Sequence, residues 1–164
     1  MDDAVIIALG SNLPGEYASS LALLEAAVKR FDVAGLRVLS RSLWWRSAAW
    51  PDPTKPDYLN GVALVETSLS PREVMAGLLR LEAKFGRRRG EPNAPRTLDL
   101  DLIAYGRAVI EEPGLMLPHP RAHTRRFVMG PLAEIAPEWR HPTTGLSARA
   151  LAASSPIGED AAPA

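Results

Sequence analysis

Cysteine is absent from the 164 residues, so neither a disulfide framework nor thiolate chemistry belongs to this chain. The absence suits a reducing cytosol, and a cytoplasmic protein is the expectation. No run of about 18 apolar residues occurs. The chain opens on two aspartates ahead of a short apolar stretch rather than on a basic leader, so neither a membrane span nor export is expected. Net charge is missing too: Lys plus Arg and Asp plus Glu number 19 each, which leaves no global field to draw in nucleic acid. Aromatic residues are only 6% of the chain, and no strand carries the aromatic pattern of an RNA-recognition module. There is no G-x-x-x-x-G-K-[ST] loop and no protein-kinase signature, which excludes the two common phosphoryl-transfer classes.

Lysine is nearly absent as well. Lys29, Lys55 and Lys84 are the only three, so 16 of the 19 cations are arginine. Seven of these fall at 87–89, 96, 121, 125 and 126. Base composition of a gene can enrich arginine along a chain but does not gather it, and the planar guanidinium fork suits phosphate oxygens better than an ammonium does.

With 46% hydrophobic residues, residues 1–153 are long enough to form one domain with its own core. The Ala- and Pro-rich residues 154–164 show no apolar period and are expected to form a flexible tail. Residues 4–9 are a continuous apolar run ending in Gly10-Ser11-Asn12, which reads as a buried strand and a turn. Leu21, Leu24, Val28 and Phe31 recur at helical spacing and stop at Gly35. Residues 36–45 read as a second strand, the proline-rich stretch 50–57 as a loop, and residues 59–67 as a third strand in which Gly61 marks a bulge or a close approach of ligand.

Ser70-Pro71-Arg72-Glu73 has the capping-box spacing with proline at the first helical position, so a helix follows with Val74, Leu78, Leu81 and Phe85 inward and Gly86 as its stop. A fourth strand at 98–103 turns at Tyr105-Gly106-Arg107 toward residues 108–110. Then come a short helix near 121–129, a break at Gly130-Pro131, and weaker helical signal at 132–135 and 148–153. The order β-α-β-β-α-β predicts an α+β fold, a ferredoxin-like antiparallel sheet with helices packed on it and additional C-terminal helices. The first and last core strands are expected side by side in the middle of the sheet. The stretches 10–15, 46–57 and 87–95 are its expected mobile parts.

The segment Leu98-Asp99-Leu100-Asp101-Leu102 carries the chemistry. Side chains alternate along a strand, so the leucines share one face and the two aspartates the other. An isolated D-x-D is ordinarily a half-buried strand with a solvated outer face. Here Arg87, Arg88, Arg89 and Arg96 lead straight into it. Phosphate and a divalent cation together account for both signs, the cation relieving the repulsion of the paired carboxylates. His119, between two prolines, suits a fixed donor to phosphate; a loop histidine bonded to backbone is the alternative. Glu82 reads as a solvated helix acid beside Arg80 or Lys84. Tyr58 and Asn60 share a strand face, and Phe127 follows two arginines. Such aromatics are usually core, but these could also stack on a flat heterocycle.

Ile7-Ala8-Leu9-Gly10-Ser11-Asn12, Pro56-Asp57-Tyr58-Leu59-Asn60, Pro95-Arg96-Thr97-Leu98-Asp99-Leu100-Asp101, Leu117-Pro118-His119-Pro120 and Pro131-Leu132-Ala133-Glu134-Ile135-Ala136-Pro137, in that order, resemble the 6-hydroxymethyl-7,8-dihydropterin pyrophosphokinases. The resemblance spans about residues 5–142. It implies transfer of pyrophosphate from ATP to the hydroxymethyl group of the pterin, with release of AMP, in folate biosynthesis. It also implies two Mg²⁺ ions and three catalytic loops.

By resemblance Asp99 and Asp101 are the metal ligands, and Arg87, Arg89 and Arg96 are catalytic residues on the phosphate path. Glu82, His119 and Arg125 join them at the ATP site, where the backbone of Leu102 meets adenine. Ser47, Ala48, Trp50, Tyr58, Asn60 and Phe127 form the pterin pocket, with Tyr58 and Phe127 sandwiching the ring. The expectation is a monomer acting on small molecules, with no nucleic-acid or membrane partner.

Overall fold

The apolar run at the N-terminus becomes β1 (Val5–Ser11), and every residue of it is buried. It is buried on both sides, which is why it reads as continuous rather than alternating. Val5, Ile7 and Leu9 enter one core cluster and Ile6 and Ala8 another. The computed structural model describes residues 3–48, 54, 56–86 and 97–164.

On the first side lie α1 (Ser20–Lys29) and α2 (Pro71–Lys84). The Ser19 hydroxyl caps α1 by accepting the Ala22 N–H at 3.0 Å, so the helix begins at Ser20. That phase buries Leu23 and Leu24 and leaves Leu21 exposed, against expectation. The capping box predicted for α2 is present in both directions: Ser70 Oγ accepts the Glu73 N–H and Glu73 accepts the Ser70 N–H. Val74, Leu78, Leu81 and Phe85 are all buried as the spacing requires, and Gly86 ends the helix at a φ of 86°.

The expected second strand is two, β2 (Arg37–Arg41) and β3 (Trp45–Ser47). Ser42 makes the joint by accepting the Val62 N–H on its hydroxyl at 3.0 Å, a side-chain substitution in the ladder that hydrophobic periodicity does not reveal. Both strands pair with β4 (Tyr58–Glu66). Gly61 on β4 does mark a close approach, but of the Trp44 ring rather than a ligand: a Cβ there would lie 2.6 Å from a ring carbon.

The acid strand is β5 (Asp99–Tyr105), and the main sheet runs β5-β1-β4-β3 with every pairing antiparallel. The first and last core strands are therefore adjacent, but only β1 is central and β5 is an edge. Each helical crossover carries the chain past one strand position, which puts β1 and β4 in the middle and the strands that end the crossovers on the flanks. Residues 108–110 lead into a small separate hairpin, β6 (Ile110–Glu112) and β7 (Leu115–Leu117).

The second face is covered by α3 (Arg126–Ile135) and α4 (Ala148–Ser154), with Val128, Met129, Leu132 and Leu151 buried against Ile6, Val62, Leu64 and Ile103. The break expected at Gly130-Pro131 does not occur. Gly130 is there for contact: a Cβ would lie 2.5 Å from the Trp45 ring. Pro131 forfeits one helical N–H, and burial of its neighbours on both sides outweighs that loss.

Residues 154–164 are also not a loose tail here. Ser155 and Ala161 are buried, Ile157 exchanges hydrogen bonds with Thr124 and Arg126, and β8 (Ala162–Pro163) pairs with β3. Backbone pairing holds this segment, and it leaves no apolar period to read.

Candidate active site

The site grows from one line of residues across the sheet. Asp99 on β5 pairs with Gly10 on β1, Gly10 with Asn60 on β4, and Asn60 with Trp45 on β3. Neighbouring strands lie about 4.8 Å apart, so the Asp99 and Asn60 backbones are roughly 10 Å apart across a residue with no side chain. A Cβ at Gly10 would sit 2.7 Å from Asn60 Oδ1, so any side chain there displaces the amide. Asp101 lies beside Ala8, another small residue of β1. Both aspartates are half-buried, on the face opposite Leu98, Leu100 and Leu102 as the alternation demands.

A bulge in β5 sets the next group. Register shifts between Ile7, which pairs with Leu102, and Ile6, which pairs with Ala104, leaving Ile103 out of the pairing. The Ile103 carbonyl accepts the His119 N–H at 2.8 Å and so fixes the stiff proline-flanked segment over the acids. His119 Nδ1 accepts the Arg121 N–H at 3.1 Å, which leaves the proton of the neutral ring on Nε2. Burial, then the Arg125 guanidinium, push the imidazole down from 6.5 to about 4, against the opposing pull of Asp99. At neutral pH His119 is therefore an uncharged donor held in place.

Glu82 overturns the surface-acid reading. It is only 3% exposed and its carboxylate accepts the Leu100 N–H at 2.8 Å, so it pins α2 to the strand between the two aspartates. A groove of about 390 Å³ is lined by Glu82, Asp99, Asp101, His119, Arg121 and Arg125. A smaller cleft of about 40 Å³ adjoins it, lined by Gly10, Asn60, Asp99, Asp101, His119 and Phe127 among others. Asp99, Asp101, His119 and Arg125 belong to both.

Asn60 and Ser47 are buried polar residues, and Asn60 Nδ2 donates to Ser47 Oγ at 3.4 Å. Ser47 pairs with Tyr58, and Ala48 follows it directly. The Arg125 guanidinium carbon stands 5.8 Å from the Phe127 ring centre. Of the expected residues that are described, Ser47, Ala48, Tyr58 and Leu102 line neither cavity, and the Leu102 side chain is core. Trp50, Arg87, Arg89 and Arg96 lie outside the described residues.

Sequence reasoning passed over Gly10 as a site residue and Asn12 as a buried one. Asn12 is 3% exposed and donates to the Pro56 carbonyl at 3.3 Å, tying the first turn to the proline loop. A polar Gly-Ser-Asn turn closing a wholly apolar strand was the available signal.

Among the described residues no cluster of three or more acidic, histidine or cysteine side chains could hold a metal by itself. Two half-buried carboxylates nevertheless fit Mg²⁺, which keeps several waters and is bound by one or two carboxylates together with substrate phosphates. The groove thus offers oxygen donors and cationic side chains to a polyphosphate, and the adjoining cleft offers a buried amide and an aromatic face to a flat acceptor. That division defines a small-molecule phosphotransferase on an α+β scaffold.

The family model for 7,8-dihydro-6-hydroxymethylpterin-pyrophosphokinase (HPPK) matches residues 6–137. The chain is 46% identical over 142 residues to the 2-amino-4-hydroxy-6-hydroxymethyldihydropteridine pyrophosphokinase of Synechocystis sp., covering 85% of this chain and 70% of that protein. It is 39% identical over 131 residues to the Haemophilus influenzae enzyme of the same name, covering 79% of each. The fold is similar to that of Plasmodium falciparum HPPK-DHPS, with a TM-score of 0.71 at 11% identity over 92% of this chain, which spans 44% of that longer protein. The chain belongs to the 7,8-dihydro-6-hydroxymethylpterin-pyrophosphokinase family. It is accordingly a diphosphotransferase of folate biosynthesis with ATP as co-substrate.

Proposed function

We propose that the groove over Asp99 and Asp101 receives the ATP polyphosphate, and that the cleft lined by Asn60 and Phe127 receives the pterin, with Ser47, Ala48 and Tyr58 completing its pocket. The observation that carries this reading is the Asp99–Gly10–Asn60 line, which sets the first acid and the buried amide on one face across a side-chain-free gap. In this reading Asp99 and Asp101 hold two Mg²⁺ ions. When bound, the ions neutralise the phosphate charge that otherwise repels the acids and the incoming oxygen.

The chain's own groups then divide the work. His119 donates from Nε2 to a phosphate oxygen, Arg125 adds charge beside it, and Glu82 holds Leu100 so that both aspartates keep their orientation. Arg87, Arg89 and Arg96 serve the phosphate path, and Trp50 belongs with the pterin residues. The backbone of Leu102 meets adenine at the open edge of β5. The pterin hydroxymethyl oxygen attacks the β-phosphorus in line and gives up its proton to solvent, the bond from that phosphorus to the oxygen of the α-phosphate breaks, and AMP departs. Tyr58 and Phe127 stack on the ring while Asn60 reads its hydrogen-bonding edge. The protein acts as a cytoplasmic monomer without a nucleic-acid or membrane partner, its single domain taking in residues 154–164 together with 1–153.

The test is Asp99→Ala and Asp101→Ala, assayed by AMP release from ATP and the pterin. Each lowers kcat by about 10³-fold or more with an unchanged melting temperature, because neither side chain belongs to the core. Near-normal turnover in a folded Asp99→Ala protein refutes the metal assignment.

A further inference from the structure

We propose that residues 155–164 form the outer wall of the pterin cleft, with Asp160 as a positioning residue that fixes Ala48. This rests on the placement of the pterin given above. The segment begins beyond the family match, which ends at residue 137.

The segment touches two of the residues assigned above to the pterin, Ala48 and Phe127. On one side Asp160 Oδ2 accepts the Ala48 N–H at 2.7 Å. Ala48 is the first residue past β3, a strand of only three residues, so its N–H lies where a short strand frays. The same strand is clasped along its outer edge: Trp45 pairs with Pro163, Arg46 with Ala162, and the Trp44 carbonyl accepts the Ala164 N–H at 2.9 Å. β3 is thereby held between β4 and β8, and a charge-assisted bond fastens its far end.

On the other side Gly158 lies against Phe127. A Cβ at Gly158 would stand 2.6 Å from Phe127 Cδ1, and its φ of 75° is itself one that side chains disfavour. The backbone next to Phe127 is tied to the same segment, since Arg126 donates its N–H to the Ile157 carbonyl at 2.8 Å and its Nε–H to the Ala161 carbonyl at 3.1 Å. One ten-residue stretch therefore spaces Ala48 from Phe127. Releasing it loosens the cleft without touching the acids, Glu82 or His119.

The experiment is a steady-state comparison of Asp160→Ala, Asp160→Asn and Phe127→Ala in the full chain, with the KM of each substrate measured separately. Asp160→Ala is expected to raise the pterin KM about tenfold, with kcat and the ATP KM within twofold of wild type. Asp160→Asn keeps an acceptor oxygen and recovers most of the loss. A pterin KM within twofold of wild type in Asp160→Ala, or equal rises for both substrates, overturns the proposal, since a merely structural contact lowers the melting temperature without that split. If Asp160→Ala does not fold, full pterin affinity in Asp160→Asn combined with Gly158→Val overturns it equally. Phe127→Ala separates the two readings: an unchanged pterin KM there refutes the pocket, whereas a raised one beside a normal Asp160→Ala refutes only the wall.

Discussion

Gly10→Ala adds a single carbon at the centre of the site. The new Cβ would fall 2.7 Å from Asn60 Oδ1 and 3.6 Å from the Leu59 carbonyl, so the amide must withdraw by about 0.7 Å to reach an ordinary contact. Asn60 has little slack, being 9% exposed and bonded to Ser47 at 3.4 Å. Withdrawal breaks that bond and leaves a buried polar group short of a partner, a cost of about 1–3 kcal/mol. If the amide recognises the pterin, the cost appears in pterin binding as an increase in KM of about 5- to 150-fold. Asp99, on the other flank of Gly10, has no atom among the three nearest to that Cβ, and the ATP KM should stay within about threefold of wild type. Steady-state AMP release with each substrate varied in turn reads both constants. An ATP KM that rises in step with that for pterin, or a pterin KM that does not move, refutes the assignment of Asn60 to the acceptor.

Three further outcomes follow from other contacts. Glu82→Ala orphans the buried Leu100 N–H and should lower stability by about 1–3 kcal/mol, while Glu82→Gln, which keeps an acceptor oxygen, loses less; urea unfolding of both variants checks the order. Glu134 accepts the Leu43 N–H at 2.7 Å and the Trp45 Nε1–H at 3.1 Å, so Glu134→Ala should destabilise by about 1–3 kcal/mol and quench or shift tryptophan fluorescence; a melt and spectrum indistinguishable from wild type would contradict this. The folded-state pKa of His119 is depressed to about 4, and that of His141 likewise to about 4 by burial first and then His123 and Arg107. Between pH 6.5 and 4 the unfolded chain holds more protons than the folded one, so stability conferred by the neutral rings is complete above pH 6.5 and is lost as pH falls through that window. Melting temperatures across it should decline, and less steeply in His141→Gln; equal slopes would sink the assignment.

The pattern of residue types was enough for the parts of this protein whose cause is local. Alternation along 98–102 separates Leu from Asp whatever the rest of the chain does, because a strand's period is fixed by backbone geometry. Ser70 through Glu73 announces the start of α2 for the same reason, and the ordered run of short motifs placed the chain in its family. What lay beyond reach is decided by partners distant in sequence. Gly61 looks like a bulge or a ligand's approach and Gly130 like a break until Trp44 and Trp45 arrive to need the space, and Glu82 looks like a surface acid until β5 offers it a buried N–H. The tail looks loose until its backbone finds β3, Thr124 and Arg126. Only the tertiary structure could put Asp99, Gly10 and Asn60 in one line, because strand register depends on which strands pair, and hydrophobic pattern records burial but not the neighbour that causes it.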